Sequence, residues 1–457
     1  MSIKSNRARR AAWEAGVKHC TFDPDGPGVV RIHLVPPMYR PFGRADSLVI
    51  LNGYYILPLG YTLAQLLSAF MDEVNAFDGK PISDAEGQIV FDNAVRAVSE
   101  IYPHIRREAI ADDMEALLDI LFEVARGGRP SVEIRSLSVR AYAKSMAAPH
   151  RMDLMVASMT DGEGRWQCNQ KCRFCYAAGQ TLGGTKEMTT DEWKTALDRL
   201  RAARVPMVTF TGGEPTLRPD IVELVEHAKW FVTRLNTNGV ALTEDLVKGL
   251  KEASLDSLQV TLYSSNPAIH NELTGAEHHA DTLAGIRRAV EAGLDVSVNT
   301  PLCKANADYL ATLSLIHGMG VRFVTISGLI CTGGAAGKHG VNDLSSEELL
   351  EIVRSAKAFC DTHDMEMDFT SPGLIPSDEL ETLGMNVPSC GACLSNMAIT
   401  PDGTIVPCQS WLGADAGLGH VLRDNWKNIW NHPTCKTLRS MTDGEALACP
   451  FRKRGEV

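Results

Sequence analysis

From Met152 onward, short apolar runs alternate with stretches of 3.6-residue period, the pattern of repeated strand-helix units around a parallel sheet. Six such units are legible, with strands near Met152–Ser158, Met207–Thr211, Val232–Asn236, Ser257–Leu262, Asp295–Thr300 and Arg322–Ser327. Helices fall between them. Thr190–Ala203 is opened by a capping box of Thr189 and Glu192, and Ser346–His363 by one of Ser345 and Glu348. Right-handed crossovers turn six units of this α/β class into a partial (β/α)6 barrel of the TIM type. The first 145 residues read differently: strand-like Val29–Leu34 and Ser47–Leu51 precede a mainly helical stretch from Tyr61 to Arg126, which predicts a separate accessory domain. Residues 146–383 form the barrel. Residues 384–457 are rich in cysteine, glycine and turn signals such as Pro401-Asp402-Gly403, with too little apolar content for a core of their own, so metal is expected to help fold them.

A chain of 457 residues can bury a large core, which excludes a small disulfide scaffold. The formal charge of -11 is spread without a basic stripe, which argues against nucleic acid as partner. No apolar run reaches the roughly 18 to 20 residues of a membrane span, and the basic start, Met1–Arg10, is not followed by a signal-peptide core. The expectation is a cytoplasmic protein with no membrane partner. In that compartment the 12 cysteines read as metal ligands or catalysts rather than disulfides. Cys168, Cys172 and Cys175 form one group. Cys390, Cys393, Cys408, Cys435 and Cys449 form a second, and Cys20, Cys303, Cys331 and Cys360 are scattered.

The first group, Cys168-Asn169-Gln170-Lys171-Cys172-Arg173-Phe174-Cys175, places three thiolates in a loop directly after the first barrel strand. Three cysteines on a four-iron cluster leave one iron open to a chelating substrate. A zinc loop is the alternative, although structural zinc wants four ligands and paired two-residue spacings. Thr211-Gly212-Gly213-Glu214-Pro215 then ends the second strand, on the face where such barrels place their chemistry. Its glycines would let backbone approach a ligand, and Glu214 would bring charge.

Both motifs, in this order, resemble the radical S-adenosylmethionine (SAM) superfamily, with its Cys-x3-Cys-x-aromatic-Cys loop and Gly-Gly-Glu-Pro second strand. The resemblance implies that Cys168, Cys172 and Cys175 hold a 4Fe-4S cluster, whose open iron chelates the methionyl amine and carboxylate of SAM. It also implies that Phe174 lies against adenine and that Gly212, Gly213, Glu214 and Pro215 bind the methionyl amino group. Reductive cleavage would then yield a 5'-deoxyadenosyl radical, with a reductant such as flavodoxin or ferredoxin as partner. By strand position Thr261 matches a ribose-contacting hydroxyl. Asn238 and Asn299 also end strands on this face, as cofactor contacts or as turn-capping amides. Where many relatives carry a cofactor-binding arginine after His270-Asn271, this chain has Thr274.

In the second group, Cys390-Gly391-Ala392-Cys393 precedes a predicted hairpin, Thr400 to Cys408, that carries one thiolate on either side of its turn. This region resembles the SPASM or shortened twitch auxiliary-cluster region, including its Gly-x4-Cys element and the helix at Asn428-Ile429-Trp430-Asn431. The resemblance implies one auxiliary 4Fe-4S cluster on a set drawn from Cys390, Cys393, Cys408 and Cys449, with a protein or substrate atom in the fourth position. Cys435 reads as a free thiol. Cys303 and Cys331 each follow a barrel strand on the catalytic face, Cys331 just before a flexible run, Thr332–Gly337, and are candidates for delivering a hydrogen atom or binding substrate, against the alternative of buried, inert thiols.

Auxiliary clusters of this kind accompany peptide modification and small-metabolite chemistry. Ser47–Gly53, followed by Leu57 and a helix, loosely resembles the small peptide-binding domain of peptide maturases. The leading expectation is therefore a maturase that crosslinks, oxidises or epimerises a peptide. A small-molecule dehydrogenase or rearrangement enzyme is the second reading, and an iron-sulfur electron carrier or redox sensor the third.

Overall fold

Four of the barrel helices start where a short polar side chain, Thr189, Thr243, Asn266 or Ser345, takes up a free N–H group of the first turn. Thr189 and Ser345 accept from the N–H of Glu192 and Glu348, whose carboxylates reach back to the cap residues. The computed structural model describes residues 18–22, 30–35, 39–40, 43–44, 47–52, 55–77, 82–125, 146–336 and 342–450. Met1–Arg10, Val29, Gly53, Arg126, Gly337 and residues 451–457, named above, lie outside the described residues. The chain divides into two compact units, one running to Ala147 and taking in Trp230–Val232, the other comprising the remainder.

In the first unit, β1 (Lys18–Phe22), β2 (Val30–Val35), β3 (Ser47–Leu51) and β4 (Tyr55–Leu59) form an antiparallel sheet in the order β1-β2-β3-β4. Three helices follow: α1 (Tyr61–Asn75), α2 (Asp84–Ile101) and α3 (Arg107–Ala125). One core joins them, with Ile32, Leu34, Val49 and Leu51 of the sheet against Leu67, Met71, Val95, Met114 and Leu121 of the helices. Burying each such side chain contributes about 1.5 to 3 kcal/mol.

The second unit is built on β5 (Arg151–Ala157), β6 (Met207–Gly212), β7 (Val232–Thr237), β8 (Ser257–Thr261), β9 (Val296–Leu302) and β10 (Phe323–Gly328), adjacent in chain order. These are the six predicted strands, displaced by at most two residues at either end. Between them lie α4 (Thr190–Ala202), α5 (Ile221–His227), α6 (Glu244–Glu252), α7 (Pro267–Thr274), α8 (His279–Glu291) and α9 (Tyr309–His317). The partial barrel goes further than expected at both edges. After α10 (Ser346–Thr362), β11 (Glu366–Phe369) adds a seventh parallel strand beside β10. Its charged Glu366 and Asp368 hide the apolar signal on which strand prediction depends.

On the other edge, β12 (Asn396–Ile399) pairs parallel with β5, and β13 (Thr404–Val406) and β14 (Gly419–His420) continue antiparallel, so the sheet has ten strands. Residues 384–450 thus share the barrel's sheet. Apolar Met397, Ile399, Ile405 and Val406 are fully buried there.

Among the buried imidazoles of the described residues, His33 in the first unit and His270 in the second are fully covered. Burial pushes each down from 6.5 to about 4. Between those values the unfolded chain binds protons that the folded chain refuses, so stability is present at neutral pH and is lost as pH falls. The apo protein should melt at progressively lower temperature as pH is taken from about 7 to about 5, with a shallower decline for His270→Gln. A pH-independent melting temperature over that range would contradict this.

Candidate active site

The Cys168–Cys175 loop leaves the carboxyl end of β5 and is clamped by backbone hydrogen bonds from two other strand-helix units. Lys171 and Arg173 donate to the carbonyls of Thr274 (2.8 Å) and Leu273 (2.8 Å) at the end of α7. From beyond β10, the N–H of Gly334 donates to the Cys175 carbonyl at 2.8 Å. Only glycine fits there. A Cβ on Gly333, which has φ +57°, would meet the Cys175 carbonyl oxygen at 2.3 Å, and one on Gly334 would meet that of Arg173 at 2.6 Å. The stretch after Cys331, expected to be a flexible run, is for residues 332–336 a tight turn packed on the cysteine loop. Thr274, found in place of the expected arginine, is buried and serves the loop through its carbonyl, while its hydroxyl donates to the His270 carbonyl at 2.9 Å.

The three thiols lie within electrostatic range of one another. Burial, with the charges of Glu214 and Cys175 nearby, pushes Cys168 up to about 12, and burial likewise raises Cys172 and Cys175. Three desolvated sulfurs beside a carboxylate are a poor place for free thiolates and a fitting place for a cationic iron core that replaces their protons. Among the described residues no three His, Cys, Asp or Glu side chains converge on a position for a single ion. Structural zinc takes four protein ligands, whereas three thiols suit a four-iron cluster with one open iron, so the donor set fits the cluster better.

Glu214 is 2 % exposed and held on all sides. One carboxylate oxygen accepts from the hydroxyls of Thr216 and Thr237, both at 2.6 Å, and the other from the Asn238 N–H at 2.8 Å. Burial raises its pKa, and these donors partly offset the effect. Pro215, also buried, opens the short turn that follows. The expected role of the two glycines changes in one respect. Gly212 (φ +129°) and Gly213 lie against the end of β5, where a Cβ would strike the carbonyl oxygens of Ala157 at 2.3 Å and Ser158 at 2.6 Å. Close packing of two strand ends already requires them.

Asn238 makes the turn-capping contact expected of it and a second contact that was not foreseen. Its Oδ1 caps its own turn at the Val240 N–H (3.0 Å), and its Nδ2 donates to Asn169 inside the cysteine loop (2.6 Å). Thr261 ends β8, whereas its register partner Asn299, expected to end a strand, lies in the middle of β9 and accepts from the Thr325 hydroxyl at 2.9 Å. Phe174 and Cys303 pack with Tyr263, Leu273, Leu329 and Ala335 in one apolar cluster against Cys172. Cys303 is 1 % exposed, and the amide of Asn306 accepts from its N–H at 2.7 Å. Cys331 is half-buried beyond β10.

The predicted hairpin brings the second cysteine group together. Asp402 accepts from the Thr400 hydroxyl (2.7 Å) and the Thr404 N–H (3.1 Å), and Gly403 takes φ +90°, which closes the turn. The Cys393 N–H then donates to the Pro407 carbonyl (3.1 Å), and the Cys390 N–H to the Ala446 carbonyl (2.7 Å). Cys408 is pushed up to about 12 by burial and by its neighbours Cys390, Cys449 and Asp153. Four sulfurs from three separate segments gather here, a donor set suited to a second cluster. Cys435, expected to be a free thiol, is one: it is buried, donates to the Ile429 carbonyl at 3.4 Å and lies within electrostatic range of Cys393.

Residues 167–316 match the family model of the radical SAM superfamily, and residues 390–451 that of the SPASM iron-sulfur cluster-binding domain. The chain therefore carries a radical SAM domain and a carboxyl-terminal SPASM domain, which imply SAM, the 4Fe-4S cluster that binds it, and auxiliary iron-sulfur as cofactors. The carrier or sensor reading is therefore set aside. The chain is 35% identical over 144 residues to the probable GTP 3',8-cyclase of Thermococcus kodakarensis, covering 31% of this chain and 47% of the relative. It thus spans about half the length of that relative. It is 26% identical over 309 residues to the AdoMet-dependent heme synthase of Methanosarcina barkeri, covering 63% of this chain and 86% of that one. Among solved structures, Streptococcus suis SuiB bound to precursor peptide SuiA aligns with TM-score 0.60 at 14% identity, over 89% of this chain and 91% of SuiB, which shows a shared fold.

Sequence reasoning missed the clamp: Thr274, Gly275, Gly333 and Gly334. A Gly-Gly pair just beyond a barrel strand was the available signal. Replacing Cys168, Cys172 and Cys175 together with Ala should remove about four irons per reconstituted chain, read by iron assay and Mössbauer spectroscopy. Gly333→Ala should lower iron loading while leaving the far-ultraviolet circular dichroism of the sheet intact, and unchanged loading would show that the clamp does not shape the loop.

Proposed function

We propose that the protein modifies a peptide by radical chemistry, installing a crosslink, oxidation or epimerisation. The observation that carries this reading is the first unit. Its four-stranded antiparallel sheet has β1 and β4 as edge strands, and an edge strand can receive an extended peptide through main-chain hydrogen bonds. The likeness of fold to SuiB, which has been solved with its precursor peptide, supports the reading, as does 32% identity over 144 residues to the PqqA peptide cyclase of Streptomyces rochei.

In this reading Cys168, Cys172 and Cys175 hold the first cluster. Cys390, Cys393, Cys408 and Cys449 hold the auxiliary one. Bound at the first site, cluster and SAM supply one-electron cleavage of the sulfonium and a carbon radical that abstracts hydrogen. The chain's own residues position the cofactor. Glu214, kept in place by Thr216, Thr237 and Asn238, presents a desolvated carboxylate that favours an ammonium group. Gly212, Gly213 and Pro215 set the backbone around it. Phe174 offers its ring to adenine from the apolar cluster, while Thr261 at the end of β8 offers its hydroxyl to the ribose and Asn299, its register partner within β9, offers an amide to the cofactor. Cys303 and Cys331 are the candidates for returning a hydrogen atom. We place this chemistry in the cytoplasm, with flavodoxin or ferredoxin as reductant. Among the described residues no helix is long and apolar enough to cross a membrane.

The test is intact-mass analysis of a short peptide encoded beside the gene, co-expressed with the enzyme. A mass change that disappears in Cys172→Ala supports the reading. An unmodified peptide, with 5'-deoxyadenosine formed instead in the presence of a small metabolite, would move the substrate to the second class, to which the heme synthase relative also points.

A further inference from the structure

Cys435 and Arg439 lie on one short helix, α13 (Pro433–Arg439), which follows α11 (Ser377–Thr382) and α12 (Trp426–Trp430) in the chain. Both residues face Cys393. The Cys435 side chain is completely buried, as is that of Cys393. Its S–H donates to the Ile429 carbonyl at 3.4 Å, and its sulfur lies within electrostatic range of the Cys393 thiol. Arg439 is fixed from three directions. Its guanidinium stacks 3.9 Å from the centre of the Trp430 ring, donates to the Trp430 carbonyl at 2.6 Å and donates to the Cys393 carbonyl at 3.3 Å. A half-buried cation held this firmly beside two sulfurs is more than a surface charge.

Metal loading changes what the Cys393 sulfur can do. A thiolate bound to iron has no proton to give and accepts instead. Cys393 loses its proton to solvent on binding, and the Cys435 S–H can turn from the Ile429 carbonyl to the Cys393 sulfur. Arg439 already stands on that side. Hydrogen bonds and positive charge at a ligating sulfur stabilise the more negative, reduced cluster and so raise its potential.

We propose that Cys435 and Arg439 are positioning residues of the auxiliary site, which act through Cys393 to hold that cluster at a higher reduction potential than its four thiolates alone would set. The proposal rests on the reading of Cys393 as a ligand.

The test uses the full-length chain carrying Cys168→Ala, Cys172→Ala and Cys175→Ala, reconstituted without oxygen, so that iron content and potentiometric electron paramagnetic resonance report the auxiliary cluster alone. In this background Cys435→Ala and Arg439→Gln should each keep the auxiliary iron and shift its midpoint to more negative potential. Cys435→Ser, which retains a donor, should stay near the parent value. An unchanged midpoint in both Cys435→Ala and Arg439→Gln, with Cys393→Ala losing the iron, overturns the proposal and leaves the ligand reading standing. Loss of iron in Cys435→Ala makes Cys435 a ligand itself and also overturns the proposal. Retention of full iron in Cys393→Ala overturns the ligand reading, and the proposal with it.

Discussion

The catalytic unit depends on the two-sided pairing of one strand. Arg151–Ala157 pairs parallel with Met207–Gly212 on one side and with Asn396–Ile399 on the other. The first pairing sets the Cys168–Cys175 loop beside the Gly-Gly-Glu-Pro turn. The second brings the hairpin with Cys393 and Cys408 onto the same sheet. Tyr176 shows how close this makes the two cysteine groups, because the charges of both Cys175 and Cys408 act on it. A slip of one residue in either pairing would exchange the two faces of the strand and separate the sites.

Electrostatics explains why so much backbone is spent on holding these sulfurs. The thiols are desolvated, and the first three share their pocket with Glu214, so the metal-free chain pays for holding them together. Rigid hydrogen bonds from α7 and from the Gly333-Gly334 turn keep the loop shaped against that repulsion. Metal binding reverses the balance, since a cationic core converts the same crowding into attraction. The second group is supported in another way, with Arg439 supplying a fixed positive charge next to Cys393.

Several residues expected to serve the chemistry have a packing role of their own. Gly212 and Gly213 cannot carry side chains because strand ends meet there, whatever else binds at the turn. Asn238 caps its own turn and also reaches the cysteine loop. Cys303 is packed with Phe174 and Tyr263 and tied to Asn306, so any chemistry it performs starts from a buried thiol.

Local patterns in the sequence determined the strand-helix alternation, the capped helices, the three-cysteine loop, the Glu214 turn and the Asp402-Gly403 hairpin, because each depends on neighbours within a few positions. Spacing alone could not reveal that Thr274 and Gly334, about a hundred and about a hundred and sixty residues from the loop they clamp, bind it through backbone atoms, since main-chain hydrogen bonds leave little trace in residue identity. Nor could it show that Glu366–Phe369 becomes a strand, where pairing with β10 outweighs a polar composition. The neighbour of Cys435 was equally hidden. Whether a buried thiol is inert or stands beside a ligand depends on which distant segment folds against it, and only the tertiary structure decides that.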